Sequence, residues 1–301
     1  MAVQTANVTE LPQGIRLKAS GNPRLRVWRR FTRHRLAMVS LGLLLLISLV
    51  VIAAPLVTAY SPIKSSGSME AEPSGTHLLG TDRLGRDIWA RLVYGGRVSL
   101  SVGVVAVSIS TVIALVLGSL AGYYGRWVDM LIMRLTDVMM VFPGLILVMV
   151  VVSLIGPSIY NVMAVIGFLS WPGTARLLRG QILSVREWDF VTAARCSGVP
   201  DRRIMFRHIL PNALAPLLVA ATFGVAGAIL TEAGLSYLGL GVLPPAPSWG
   251  NMLNGAQSIR ILENFWWLWL PPGLAIFVTV LAINFVGDGL RDALDPRTSL
   301  D

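Results

Sequence analysis

Long apolar runs without one charged side chain dominate this sequence, and nothing else limits its fold as much. A helix needs about 20 apolar residues to cross the hydrocarbon core of a bilayer. Residues 36–63 carry no charge, and Leu36 to Tyr60 is their apolar part, which predicts a first span. Arg97 and Arg126 enclose a second, Val98 to Gly125. Val138 to Ala175 is uncharged for 38 residues. At 1.5 Å per residue that is roughly 57 Å, too long for one crossing. Gly156-Pro157-Ser158 interrupts it as a tight turn does, so it divides into span three, about 130–155, and span four, about 160–180. Ile209 to Thr231 predicts span five, continuing past Glu232 toward Leu240, and Asn264 to Gly287 predicts span six.

Composition agrees with an integral membrane protein. Only 14% of the 301 residues are charged, against about 25% in soluble domains, which excludes a cytosolic globule and a disordered chain. One cysteine, Cys196, cannot form an intrachain disulfide, and His34, His77 and His208 are too far apart in sequence to suggest a zinc site. The net charge of +9 would suit nucleic acid. With these spans it is better explained by basic cytoplasmic loops, so the expected partner is the lipid bilayer and not nucleic acid.

The charges also set the orientation. Residues 1–35 hold eight basic side chains and one acid, Glu10, which puts the N-terminus in the cytoplasm. Arg176 to His208 holds seven arginines against Glu187, Asp189 and Asp201, so this loop is expected there too. Two segments on one side need an even number of crossings between them, which four spans satisfy. Six spans put 19 basic residues inside and six outside, with both termini in the cytoplasm. The first run exceeds a signal-peptide core of 7–15 residues, so an uncleaved anchor is expected.

No phosphate-binding glycine loop is present, and neither lysine, Lys18 or Lys64, follows one. No catalytic constellation stands out either. The chain is not expected to be an enzyme, and energy for uphill transport must come from another subunit or an ion gradient.

The segment Arg186 to Pro211 is the most informative. Its first part suits a short helix with Phe190, Val191 and Ala194 on one side. Gly198 suits the left-handed residue that ends a helix, and Pro200 suits the first turn of a second. The result is a helix-turn-helix too polar to span, lying at the cytoplasmic surface. Ala193, Ala194 and Gly198 would let another protein surface approach closely, with Ala194 and Gly198 near one face. On local pattern alone, an interfacial amphipathic tether remains open.

This segment resembles the EAA loop of ABC importer permeases: Glu-Ala-Ala, three residues, Gly, nine residues, Ile-x-Leu-Pro. Thr192-Ala193-Ala194, Gly198 and Leu210-Pro211 keep the spacing, with Thr192 in place of Glu and His208 in place of Ile. Other stretches resemble the second permease subunit of oligopeptide and dipeptide importers. They are Leu79 to Asp87 with Tyr94 to Leu100, Arg207 to Asn212, Leu235 to Gly241 followed by Ser248-Trp249-Gly250, and Gly287 to Pro296. The resemblance implies an all-α type I permease with six transmembrane helices and a cytoplasmic coupling helix, in a bacterial inner membrane. It implies a homologous second permease, two ATPase subunits that hold ATP and Mg, and an extracytoplasmic substrate-binding protein; this chain needs no cofactor of its own. Coupling to the ATPases falls on Asp189, Thr192, Ala193, Ala194, Arg195, Gly198, Asp201, Arg202 and Arg203. The substrate class is peptides, with nickel or a metallophore as the alternative within the family. An ion-driven secondary transporter and a homo-oligomeric channel are the rivals outside it.

The organisation expected is a cytoplasmic tail 1–35, a first span 36–60, an external segment 61–97, a permease core 98–291 with coupling loop 185–209, and a cytoplasmic tail 292–301. Leu84, Ile88 and Leu92 predict a short helix in the external segment, either docking the binding protein or lying on the membrane. Glu232, deep in span five, is a candidate for the translocation path, the other reading being a carboxylate paired with a neighbouring span. Arg134 and Asp137 are expected to pair. Pro143 and Pro172 are expected to kink their spans. Gly118 with Gly122, and Ala220 with Gly224 and Ala228, are expected at close helix contacts. Trp266, Trp267 and Trp269 fit an interfacial belt. In a Cys196-free background, cysteines placed at Ser66 and Ser184 should react with an impermeant thiol reagent from opposite membrane faces. Labelling of both from one face would overturn the four-span count.

Overall fold

The structure, a computed structural model, describes residues 23–294; the rest of the two predicted tails, and the end of the Gly287 to Pro296 motif, lie outside the described residues. Every regular element in that range is helical.

Helix α1 (Pro23–Arg33) is followed by α2 (Arg35–Ile52), whose N-terminus His34 caps by accepting from the Ala37 N–H at 3.1 Å. The predicted span to Tyr60 stops early. Pro55 cannot donate to a preceding carbonyl, and only a short turn of helix, α3 (Ala54–Val57), follows. Arg97 closes the end of α2, donating to the Val51 and Ile52 carbonyls at 2.7 and 2.5 Å. A cation there complements the helix dipole and satisfies carbonyls that have no partner in their own helix.

Helix α4 (Ile88–Tyr124) has 37 residues, about 55 Å of helix, and therefore projects beyond the hydrocarbon. The separate external helix expected around Leu84 does not exist. Gly85 at φ +70° and the Asp87 cap, which accepts from the Ala90 N–H at 2.7 Å, start α4 itself at Ile88 and leave Leu84 in a turn. Helices α5 (Arg126–Val141) and α6 (Gly144–Ile155) meet at 88° across Phe142-Pro143, so Pro143 breaks the third span outright. The turn at Gly156 to Ser158 is present, and α7 (Ile159–Leu169) begins after it. Ser170 and Pro172 then separate α7 from α8 (Trp171–Arg186). Helix α9 (Asp189–Cys196), a turn, and α10 (Asp201–Ile204) lead through a π-helical turn at Met205–Ile209 into α11 (Leu210–Tyr237). Short helices α12 (Trp249–Leu253) and α13 (Ile259–Asn264) precede α14 (Trp266–Leu294).

Among the described residues four helical runs are long and apolar enough to cross a membrane: α2, α4, α10 to α11, and α14; the bent pair α5 and α6 makes a fifth. The crossing expected at 160–180 is not one apolar helix. It is divided at Ser170, and its second part, α8, carries Arg176 and Arg179.

Helix α4 is the hub, packed along α7, α8 and α11. Its glycines make this possible. A Cβ on Gly118 would lie 2.7 Å from the Ala175 carbonyl of α8, and one on Gly122 would lie 2.9 Å from Ile182. Ala228 is buried and Gly224 faces Val107, so the second small-residue row also marks a contact with α4. Helices α5 and α8 are tied by Asp129 with Arg179 and by Asp137 with Arg176 at 2.6 Å. The expected Arg134–Asp137 pair is replaced, because α8 lies alongside and presents an arginine to each aspartate. The tryptophan belt is also corrected. Trp266 is exposed, but Trp267 is buried with Ile88, Ile261 and Leu268 where α13 folds over the end of α14.

Gly118→Val should lower the melting temperature of the detergent-purified protein, in line with an overpacking cost of about 1–3 kcal/mol. Gly180→Ala, where an added Cβ meets nothing within 4 Å, should leave it unchanged or raise it. Equal melting for both variants would mean that the α4–α8 seam is loose.

Candidate functional site

The helix-turn-helix forms as its sequence implies. Gly198 takes φ +73° after α9. The Gly198 N–H donates to the Arg195 carbonyl at 3.0 Å and the Val199 N–H to the Ala194 carbonyl at 3.1 Å, closing the helix end. Pro200 stands immediately before Asp201, capping α10 rather than sitting inside it.

The segment is braced from within. Val191, Ile204 and Met205 are buried in one cluster with Leu178 and Ile182 of α8 and Leu217 of α11. Tyr123, near the end of α4, donates to Asp201 Oδ1 at 2.6 Å, and Arg186 donates to the Tyr123 carbonyl at 3.2 Å. Pro211 has no N–H to give to the carbonyl four residues back. The backbone there widens to π spacing, with the Leu210 N–H reaching the Met205 carbonyl.

The outer face of the segment is open. Asp189, Thr192, Ala193, Arg195, Gly198, Asp201, Arg202 and Arg203 are exposed, whereas Ala194 is half-buried against the inner cluster. Ala194 and Gly198 therefore do not share a face: α9 ends at Cys196, before the glycine, and Gly198 turns outward, where an added Cβ would meet nothing within 4 Å. Phe190 also differs from expectation. It is exposed and packs edge-on against Trp188, with centroids 5.6 Å apart.

Glu232 is fully buried at the other end of α11. Its Oε1 accepts from Ser236 Oγ at 2.7 Å and its Oε2 from Ser99 Oγ of α4 at 3.1 Å. Those hydroxyls accept in turn from the Val242 N–H at 3.1 Å and the Trp249 N–H at 3.2 Å. The carboxylate thus joins α4, α11 and the external loop that carries α12. Trp249 Nε1 adds a bond to the Leu92 carbonyl at 2.9 Å. In this structure Glu232 is held by serines of two neighbouring elements. Ser236, one turn on, was visible in the sequence as a partner; Ser99, 133 residues away, was not.

Sequence reasoning also missed how the external segment is built. Asp82 Oδ1 accepts from the Leu84 and Arg86 N–H groups at 2.8 and 3.0 Å, and its Oδ2 pairs with the Arg86 guanidinium at 2.7 Å. His77 Nδ1 lies 2.8 Å from Asp87 Oδ2, and both side chains are buried. Arg91 donates to the Pro62 carbonyl at 3.1 Å. The Leu79 to Asp87 motif is thus a rigid hairpin seated on the start of α4. The signal was its spacing of Asp, Gly and Arg, whose meaning depends on contacts across the segment.

Comparison with known proteins fits this geometry. Residues 114–300 match the family described as binding-protein-dependent transport system inner membrane component. Residues 22–73 match the N-terminal TM domain of oligopeptide transport permease C. A protein of Brucella suis biovar 1 (strain 1330) that carries the name peptide permease protein is 47% identical over 289 residues, 96% of each chain. The dipeptide transport system permease protein DppC of Alkalihalophilus pseudofirmus is 43% identical over 277 residues, 92% of this chain and 90% of that one. Among solved structures, the MetNI methionine ABC transporter in inward-facing conformations matches with a TM-score of 0.54 at 19% identity, over 68% of this chain and 96% of that one.

Replacing Glu232 by Leu should destabilise the purified protein more than Glu232→Gln. Gln can still accept from the serines, whereas Leu strands buried hydroxyls at about 1–3 kcal/mol each. Thermal unfolding in detergent tests this, and equal loss in the two variants would show that the serine bonds contribute nothing.

Proposed function

The chain belongs to the family of binding-protein-dependent transport system inner membrane components, and on that premise we propose that it is one of two permease subunits of an ATP-driven importer of di- and oligopeptides. The braced helix-turn-helix at Asp189 to Ile204 carries this reading. Its inner residues are locked between α8 and α11, and its outer residues are free for a partner. A push on that outer face moves the ends of both helices together, because Val191, Ile204 and Met205 leave it no room to shift alone.

ATP and its Mg belong to the ATPase subunits, one of which seats this segment in a surface groove. Thr192, Ala193, Arg195, Gly198, Arg202 and Arg203 make the contact. Ala194 acts from the inner side as packing, and Asp201, though exposed, holds the Tyr123 tether. A homologous second permease completes the pathway, and a substrate-binding protein delivers cargo on the opposite face. The curated relatives named for peptides favour peptide over a metal chelate as that cargo. The same reading places the chain in the inner membrane with both termini cytoplasmic, as the arginine-rich segments favour.

Gly198 separates coupling from folding. Asn tolerates the left-handed conformation, whereas Val costs about 1–2 kcal/mol there. A Cβ added there meets nothing within 4 Å in this chain. Gly198→Val should insert and assemble its membrane helices yet lose import and the ATP hydrolysis stimulated by loaded binding protein, measured on the reconstituted complex. Gly198→Asn should keep more of both. Wild-type import and stimulation in Gly198→Val would reduce this segment to a tether.

A further inference from the structure

A cavity of about 240 Å³ lies where α4, the α7–α8 break and α11 meet. Ser110 and Thr111 of α4 line it at the middle of the uncharged run 98–125, which puts it near the bilayer midplane. Ser170 and Thr174 face them from the break, and Thr231 from α11. No charged or aromatic residue lines it.

The hydroxyls are in an unusual state. A serine or threonine inside a helix commonly returns its proton to the carbonyl four residues back. Ser108 does so to Val104 at 2.7 Å and Thr222 to Leu218 at 3.0 Å. Ser110, Thr111, Ser170 and Thr174 make no side-chain hydrogen bond among the described residues. Ser110 is only 6% exposed and lines the cavity. Thr231 spends its proton on the Gly227 carbonyl at 2.8 Å and keeps its lone pairs. Ser119 and Thr279 also lack partners, but they are sealed among packed side chains and open onto no space.

The backbone gives an independent sign. Helix α7 ends at Leu169 and α8 starts at Trp171, with Pro172 unable to donate. Irregular backbone at membrane depth persists only where it is buried in protein or lines a cavity.

Resting on the importer reading above, we infer that this hydroxyl wall binds the main-chain amides of the passing peptide. A hydroxyl both donates and accepts, and a peptide backbone offers N–H and C=O groups in alternation. A wall with no charge and no aromatic ring reads neither termini nor side chains, so it suits cargo of varied sequence. Its volume is below the roughly 300–1,000 Å³ of enclosing ligand sites. This wall is one side of a path that the second permease closes, and the peptide passes along it without being trapped.

The test uses the full complex in proteoliposomes, with both permeases, the ATPases and the binding protein, and radiolabelled trialanine as probe. Ser110→Ala/Thr111→Val/Thr174→Val removes three hydroxyls at nearly constant volume; Thr111→Ser/Thr174→Ser keeps them. The first variant should import roughly ten-fold more slowly, the worth of a few net hydrogen bonds. It should still hydrolyse ATP in response to loaded binding protein, and the second variant should import normally. Unchanged import in the first variant would overturn the inference and leave the importer reading standing. Parallel loss of import and stimulated hydrolysis would also overturn it, by making the hydroxyls structural. A wild-type complex that loaded binding protein does not stimulate would remove the importer reading and this inference with it.

Discussion

Helices in hydrocarbon gain little by hiding apolar surface from one another, so their association depends on how closely their backbones approach. In this chain that constraint converges on α4. Gly118 and Gly122 let it touch α8 at backbone distance, and Gly103 admits Ile229 of α11. With α4 in place, α7, α8 and α11 pack along it, and α8 and α11 also meet each other. The midplane cavity is the space this arrangement leaves where α7 and α8 break at Ser170. Larger residues at the glycine positions would separate the same helices without changing the hydropathy of any of them.

The few charges near the membrane join elements that the chain order keeps apart. Arg97 of α4 closes the carbonyl end of α2. Asp129 and Asp137 of α5 each take an arginine of α8. Glu232 gathers serines from α4 and α11 together with the N–H groups of the external loop. Leaving a buried polar group unsatisfied in a low-dielectric interior is costly. Each cluster is also a register mark, since sliding either helix by a turn would strand several partners at once.

The two ends of α11 are mechanically linked to different machinery. The N-terminal end continues back through a π turn into the helix-turn-helix held by Val191, Ile204 and Met205. The outer end carries Glu232 and the loop with Ser248 and Trp249. The hydroxyl cavity lies between those ends, beside Thr231 and the break at Ser170.

The uncharged runs were enough to place the protein in a bilayer, because the hydrocarbon thickness sets a length and a composition that few other folds demand. Gly198, Gly156-Pro157 and Pro143 were legible as break points, since φ above zero and a missing N–H are local properties of one residue. Spacing was also enough to find the cytoplasmic helix-turn-helix. Pairing was not legible. Arg134 and Asp137 looked like partners on one helix until α8 supplied Arg176 and Arg179. Leu84 looked helical until Gly85 and Asp87 started α4 beyond it. Trp267 looked interfacial until α13 covered it. Nothing in the sequence marked Ser99, 133 residues away, as a partner of Glu232. Local patterns determine where a helix starts, stops and meets lipid. Which of its faces is left for a partner, a proton or a peptide depends on what packs beside it, and that is a property of distances between residues far apart in the chain.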